Sequence, residues 1–192
     1  MSRVKQKQAQ RRSEIIQAAA PIIADVEFED ISIAEICQRI GLSVGSFYHY
    51  FTKKSDLLVG LLWLIDDDLE QRVFPYLIHE NELENLHDFA HGWAEHVAVH
   101  GLERSKLISS INPDCPDFAE QDRPAVVKLE EIISRGQQKG QISVRRPAAE
   151  LVEDFLLMLR AVTMDWSRRD GAYGVVEKMD RYMDVAIQAF RP

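Results

Sequence analysis

Cysteine is nearly absent. The 192 residues hold only Cys37 and Cys115, too few for a disulfide framework and too few alone for a zinc site. Glycine (9) and proline (7) are scarce as well, which excludes collagen-like, low-complexity and turn-dense all-β chains. No long apolar run occurs. The one from Leu57 to Ile65 stops at Asp66-Asp67-Asp68, well short of the roughly 18–20 residues a membrane span needs. The start, Met1-Ser2-Arg3-Val4-Lys5-Gln6-Lys7-Gln8, is basic with no apolar stretch behind it and does not read as a secretory signal. Catalytic signatures are missing too: there is no Gly-x-Gly-x-x-Gly, Walker loop, Gly-x-Ser-x-Gly or His-Glu-x-x-His. The expectation is a cytoplasmic protein that is not an enzyme and carries no cofactor or bound metal.

What is present is an ordinary soluble composition, 46% hydrophobic and 28% charged, with a net charge of −8. Residues 1–60 hold 8 Lys/Arg against 7 Asp/Glu, and the rest hold 15 against 24. Five basic groups (Arg3, Lys5, Lys7, Arg11, Arg12) fall before any acid. The acidic total argues against indiscriminate coating of nucleic acid. A near-neutral head with a basic tip on an acidic body suggests a nucleic-acid contact at one end, or else a basic tail without a partner.

Apolar residues recur with helical spacing nearly throughout, so the fold class is all-α. Helices are expected over about 10–24, from Ser32 to Gly41, 44–51, from Thr52 towards Pro75, 82–99, 103–110, 124–139, 147–168 and 175–190. Asp25–Asp30 and Asn112–Asp117 read as loops. Ser32-Ile33-Ala34-Glu35 is a capping box, Gly41 stands where a left-handed C-cap is needed, and Ser43 caps the next short helix. Two short helices joined by Gly-Leu-Ser form a helix-turn-helix pattern. In the second of them Phe47 and Phe51, flanked by Tyr50, point one way, towards Ile16, Ile33, Ile36 and Ile40. Val44, Gly45, Tyr48 and His49 point the other way. A valine, a glycine, a phenol and an imidazole make poor core but good contacts to phosphates, base edges and a thymine methyl. Lys53 and Lys54 follow, at a helix start that itself favours phosphate.

The series Arg12, Ile15-Ile16, Ala18-Ala19, Phe28, Ser32-Ile33, Ile36, Gly41-Leu42-Ser43-Val44-Gly45-Ser46-Phe47-Tyr48-His49-Tyr50-Phe51-Thr52-Lys53-Lys54, Leu57 resembles the DNA-binding head of TetR-family transcriptional regulators. The resemblance covers about residues 10–60. It implies that Ser32, Ser43, Tyr48 and Lys54 hold phosphates and that Val44, Gly45, Ser46 and His49 face the major groove. It also implies an all-helical homodimer, paired through its last two helices, with a larger C-terminal domain that binds a small molecule and alters the separation of the heads. Glu27 departs from the family's usual glycine, and Cys37 and Ile40 replace small residues. The expected division is a head over 1–53 and a regulatory and dimerisation domain over 54–192. The leading expectation is a ligand-responsive, sequence-specific regulator, a repressor, on a near-palindromic double-stranded operator. The alternative is a coactivator or interaction module of the same fold, controlled by a protein partner.

In the body, Trp63, Phe89, Trp93, His96, His100, Phe155, Met158 and Trp166 are candidates to line an effector pocket, against the plainer reading that they fill the core. Phe74 and Met164 are similar in kind. His87 and His91 have metal-ligand spacing with Glu84 and Glu95 beside them, but the apolar residues lie elsewhere around that helix, so this face is expected to meet water. Asp66-Asp67-Asp68 reads as a solvated face. Asp114 and Asp117 flank Cys115 and argue against a reactive thiol; Cys37 reads as a core residue. The apolar faces Leu151, Phe155, Met158, Leu159, Val162 and Val176, Met179, Met183, Ile187, Phe190 suit either a four-helix bundle with a second copy or burial within one subunit.

Overall fold

The computed structural model describes residues 3–26, 28, 30–109 and 123–192. Among these lie eight α-helices and no strand: α1 (Arg3–Ala24), α2 (Ile33–Ile40), α3 (Val44–Tyr50), α4 (Asp56–Arg72), α5 (Glu82–Ser109), α6 (Pro124–Gln138), α7 (Ala148–Arg168) and α8 (Val175–Ala186), with 3-10 turns at Phe74–Tyr76 and Ile187–Phe190. No helix among the described residues is long and apolar enough to cross a membrane. The loop 112–117 with Cys115, the loop residues Glu27 and Glu29, and the side chains of Arg3 and Lys5 lie outside what is described. The chain divides into two compact units, Met1–Leu64 with Lys106–Phe118, and Ile65–Ser105 with Ala119–Pro192.

In the first unit, local chemistry sets the helix ends. Glu35 N–H donates to Ser32 Oγ at 3.2 Å, and Ser32 N–H donates to the Glu35 carboxylate at 2.9 Å. These bonds satisfy donors that a helix start leaves open, and they hold the Glu35 carboxyl below its ordinary value. Gly41 ends α2 at φ 68°, ψ 33°, a left-handed conformation that only glycine adopts freely. Ser43 Oγ accepts from Ser46 N–H at 3.0 Å to start α3. One apolar cluster holds Ile15, Ile16, Ala19 and Ile23 of α1, Ile36 and Cys37 of α2, and Phe47 and Phe51. Burial pushes the Cys37 thiol up, away from reactive thiolate. Leu57, Leu58, Leu61 and Leu64 of α4 and Leu107 of α5 join the same cluster, so this unit is larger than a 1–53 head. α1 begins seven residues before Gln10, since the Arg, Lys and Gln that precede it are good helix formers.

In the second unit, α6 packs on α7 and α7 on α8. The rings of Phe74, Phe89, Phe155 and Phe190 follow one another with centroids 5.9–6.3 Å apart. Leu151, Phe155, Leu159 and Val162 of α7 are buried within the chain, as are Met179 and Met183 of α8 with Ile187 and Phe190 beyond it. Those faces are therefore core, not a surface awaiting a second copy. What the two helices expose instead is Leu157, Tyr182 and Val185.

Asp66 corrects the reading of the acidic run as solvated. Its side chain is wholly buried, and Arg123 Nε and Nη2 donate to its two oxygens at 2.8 and 2.9 Å. Burial pushes the Asp66 carboxyl up, against the pull of Arg123. Asp68, two residues on, hydrogen-bonds buried His96, with Asp68 Oδ2 2.9 Å from His96 Nδ1. A second buried carboxylate, Glu82, accepts from Arg135 Nε at 2.9 Å, Lys139 Nζ at 2.8 Å and Asn85 Nδ2 at 2.9 Å. These three donors outweigh the burial that opposes ionisation and hold its carboxyl down to about 2. Replacing Glu82 with Gln should therefore cost about 3 kcal/mol at neutral pH. Because the folded value is depressed, the stabilisation is complete above the ordinary carboxyl range and is lost as pH falls from about 4.5 towards about 2. Urea unfolding of both proteins across that window checks this; a difference that stays constant with pH would contradict it.

Candidate nucleic-acid interface

α3 is one side of the candidate interface. It is seven residues long, too short to be stable alone, and its inner face decides its orientation. Phe47 is 0% exposed and Phe51 2%. Their ring centroids lie 5.0 Å apart, and the Arg12 guanidinium sits 5.4 Å over the Phe51 ring. With those rings fixed, the 100° step of a helix turns the next residues outward. Tyr48 is 55% exposed, Val44 41%, and Gly45 and His49 are exposed. Tyr48 keeps an edge-on contact with Phe47 at 5.5 Å, which steadies the phenol without covering it.

The remaining sequence candidates separate into two groups. Ser32, Ser43 and Lys53 are exposed around α3 and its entry. Ser46 is half-buried and spends its amide, and shares its hydroxyl, on Ser43. Lys54 is the clear departure. Its ammonium donates to the carbonyls of Phe28 at 2.5 Å and Ile31 at 2.9 Å and lies 4.7 Å over the Phe28 ring. It ties the α1–α2 loop to the start of α4, beside an acidic stretch, and so has a structural task within the fold. The start of α4 is also less open to phosphate than its position suggests, because Asp56 Oδ2 already accepts from the amides of Thr52 and Lys53 at 2.7 and 3.1 Å.

Of the pocket candidates, Phe89, Trp93, His96, Phe155 and Trp166 are buried, Met158 is half-buried and His100 is exposed. Phe89 and Phe155 meet, while the Trp166 indole N–H is used on the Tyr173 carbonyl at 2.8 Å. Trp63 belongs to the other unit. His87 and His91 are partly open to solvent, as expected of this face, and also meet α8. His91 Nδ1 is 3.0 Å from Asp180, and His87 Nε2 is 3.6 Å from Asp184. Among the described residues no group of three or more His, Cys, Asp or Glu is placed to hold a metal ion.

Sequence reasoning missed the exposed stripe of α8. Tyr182 and Val185, spaced i and i+3 beside the Met179/Met183 core stripe, are the signal that could have found it. With Lys178, Arg181 and Ala186 they line a surface groove of about 390 Å³.

An outward short helix behind a capped turn, with a further compact helical unit, is a helix-turn-helix arrangement in an all-α chain. A family model for bacterial regulatory proteins, tetR family, matches residues 15–61. Over 66 residues the chain is 39% identical to the HTH-type transcriptional regulator BetI 1 of Chromohalobacter salexigens, covering 32% of this chain and 33% of that protein. Over 77 residues it is 31% identical to the nucleoid occlusion factor SlmA of Vibrio vulnificus, covering 40% and 39%. The chain thus spans only a third to two-fifths of these relatives' length. The transcriptional regulator FadR of Bacillus subtilis, solved in complex with stearoyl-CoA, is 18% identical, with the match covering 90% of this chain and 96% of that one, and superposes with a TM-score of 0.76. That likeness extends the shared fold over the body. The likeness to the tetR family of bacterial regulatory proteins is thus one of sequence over residues 15–61 and of fold over the remainder.

The two groups of head residues should respond differently to truncation. Lys54→Ala, which orphans two carbonyls, should destabilise the protein by about 2 kcal/mol. Tyr48→Ala and His49→Ala, which remove outward groups, should stay within about 0.5 kcal/mol of the parent. Chemical denaturation checks this; a cost for Tyr48→Ala equal to that for Lys54→Ala would show the phenol to be part of the core.

Proposed function

We propose that this protein is a ligand-responsive transcriptional regulator, acting in the cytoplasm as a repressor, that binds a near-palindromic double-stranded operator as a homodimer. The observation that carries the reading is the division of α3: Phe47 and Phe51 sealed inside, and Val44, Gly45, Tyr48 and His49 facing out. Val44, Gly45, Ser46 and His49 enter the major groove, while Ser32, Ser43, Tyr48 and Lys53 hold the phosphates on either side. Lys54 is a positioning residue for that surface. Gly45 supports the same reading. A Cβ added there would meet nothing nearer than Ser43 Oγ at 4.0 Å, so internal packing does not require the missing side chain, whereas close approach of a DNA backbone would.

Homodimerisation follows from the physics of one short helix. A single seven-residue reader buries little surface, and two half-sites a helical turn apart roughly double the contact free energy. Leu157, Tyr182 and Val185 on the last two helices are the surface we assign to the pairing. The effector is a small molecule held along the Phe89, Trp93, His96, His100 and Phe155 side of the second unit.

Operator affinity measured against salt tests the DNA reading, using a duplex selected from a random pool. A dimer neutralising about six phosphates gives a log–log slope near −5, and Lys53→Ala in both subunits should reduce its magnitude by about 2. A flat dependence would overturn the reading. Tyr48→Ala with His49→Ala should abolish discrimination between selected and random duplexes. For the pairing, Leu157→Glu with Val185→Glu should convert the dimer to monomer in sedimentation velocity; a variant that sediments as the parent does would move the dimer face elsewhere.

A further inference from the structure

Two polar atoms on one stripe of α5 are buried without a partner. Trp93 is 3% exposed and His96 2%, and neither Trp93 Nε1 nor His96 Nε2 has a hydrogen-bond partner among the described residues. Buried polar groups are nearly always paired, so each exception calls for a cause. Phe89, Trp93, His96 and His100 follow one another at spacings of four, three and four residues, one continuous face of the helix. The face is aromatic and buried at Phe89 and exposed at His100.

The two atoms have opposite character. The indole N–H only donates. At His96, Nδ1 lies 2.9 Å from Asp68 Oδ2. A carboxylate only accepts, so the ring proton sits on Nδ1. Burial pushes His96 down to about 4, against the Asp68 bond that raises it and with His100 and Arg104 adding to the fall. The ring is therefore neutral at pH 7, and Nε2 is a bare acceptor. The His100 ring lies 4.1 Å from it, centroid to centroid.

We propose that Trp93 and His96 bind the hydroxyl group of a small, uncharged, mainly apolar effector, the hydroxyl oxygen accepting from the indole N–H and its proton going to His96 Nε2. A hydroxyl supplies an acceptor and a donor from one atom. A carboxylate or an ether would leave Nε2 unpaired, and an ammonium would leave the indole unpaired. The rest of the ligand is apolar because the stripe continues into Phe89, which stacks with Phe74 and meets Phe155. The inference rests on the ligand-responsive reading above and names the chemistry of its effector.

The test uses the full chain and two probes with the same number of heavy atoms, 1-hexanol and methyl pentyl ether, followed through the Trp93 indole N–H signal in NMR titrations. The signal is assigned by its loss in Trp93→Phe, which keeps an aromatic ring in place. The alcohol should shift it saturably and bind about tenfold tighter than the ether. Monitored by thermal shift, that preference should disappear in Trp93→Phe. Equal affinities, no response to either probe, or a crystal structure with a water on both atoms that persists at saturating hexanol would each overturn the proposal. Operator binding measured without any probe separates the two readings. Intact DNA binding with no alcohol preference removes this site alone, and an alcohol preference without DNA binding removes the regulator.

Discussion

Burial of Phe47 and Phe51 is the constraint on which the head depends. α3 has too few residues to persist on its own, and its outer face, with Tyr48 and His49 exposed, adds little to its anchorage. Its rotation about its own axis is set by two rings locked among Ile16, Ile36 and the leucines of α4. Once those rings are seated, the outward positions of Tyr48 and His49 follow from helix geometry alone. The caps at Ser32 and Ser43 and the left-handed turn at Gly41 fix where the helix begins, and the rings fix which way it faces.

Charge is organised differently in the two units. The first unit uses cations to hold its turns: Lys54 gathers the carbonyls of the α1–α2 loop, and Arg12 covers Phe51. In the second unit, buried carboxylates are each met by donors from distant sequence, Asp66 by Arg123 and Glu82 by Arg135 and Lys139. Removing one member of such a pair leaves an uncompensated charge, so these contacts specify how α4, α5 and α6 meet more than they add net stability. They also account for part of the body's acidity without any need for a cationic partner.

The head was largely legible in the sequence because its signals are local. A capping box, a glycine at a C-cap and the spacing of Phe47, Tyr48, His49 and Phe51 each act within one or two turns, and each lies where local chemistry puts it. The body was legible only as helices. Which face of α7 and α8 turns inward depends on partners tens of residues away, and both faces carry apolar groups, so the Met179/Met183 stripe and the Tyr182/Val185 stripe are alike until packing separates them. Asp66 looked solvated for the same reason: the arginine that buries it is 57 residues distant. His87 and His91 meet α8 through Asp184 and Asp180, a pairing that no spacing within α5 reveals. Lys54 carries the opposite lesson, since a lysine beside a short exposed helix has two electrostatic uses, and only the fold shows its ammonium against the Phe28 and Ile31 carbonyls.

The account turns on α3 meeting DNA with its outer face while its rings stay fixed behind it. The most direct measurement is an NMR titration of the full chain, labelled at its aromatic side chains, with a duplex selected for tight binding. The ring signals of Tyr48 and His49 should move and broaden on complex formation, while those of Phe47 and Phe51 keep their positions. Large shifts at Phe47 and Phe51 with Tyr48 and His49 unmoved, or a footprint confined to α7 and α8, would contradict it.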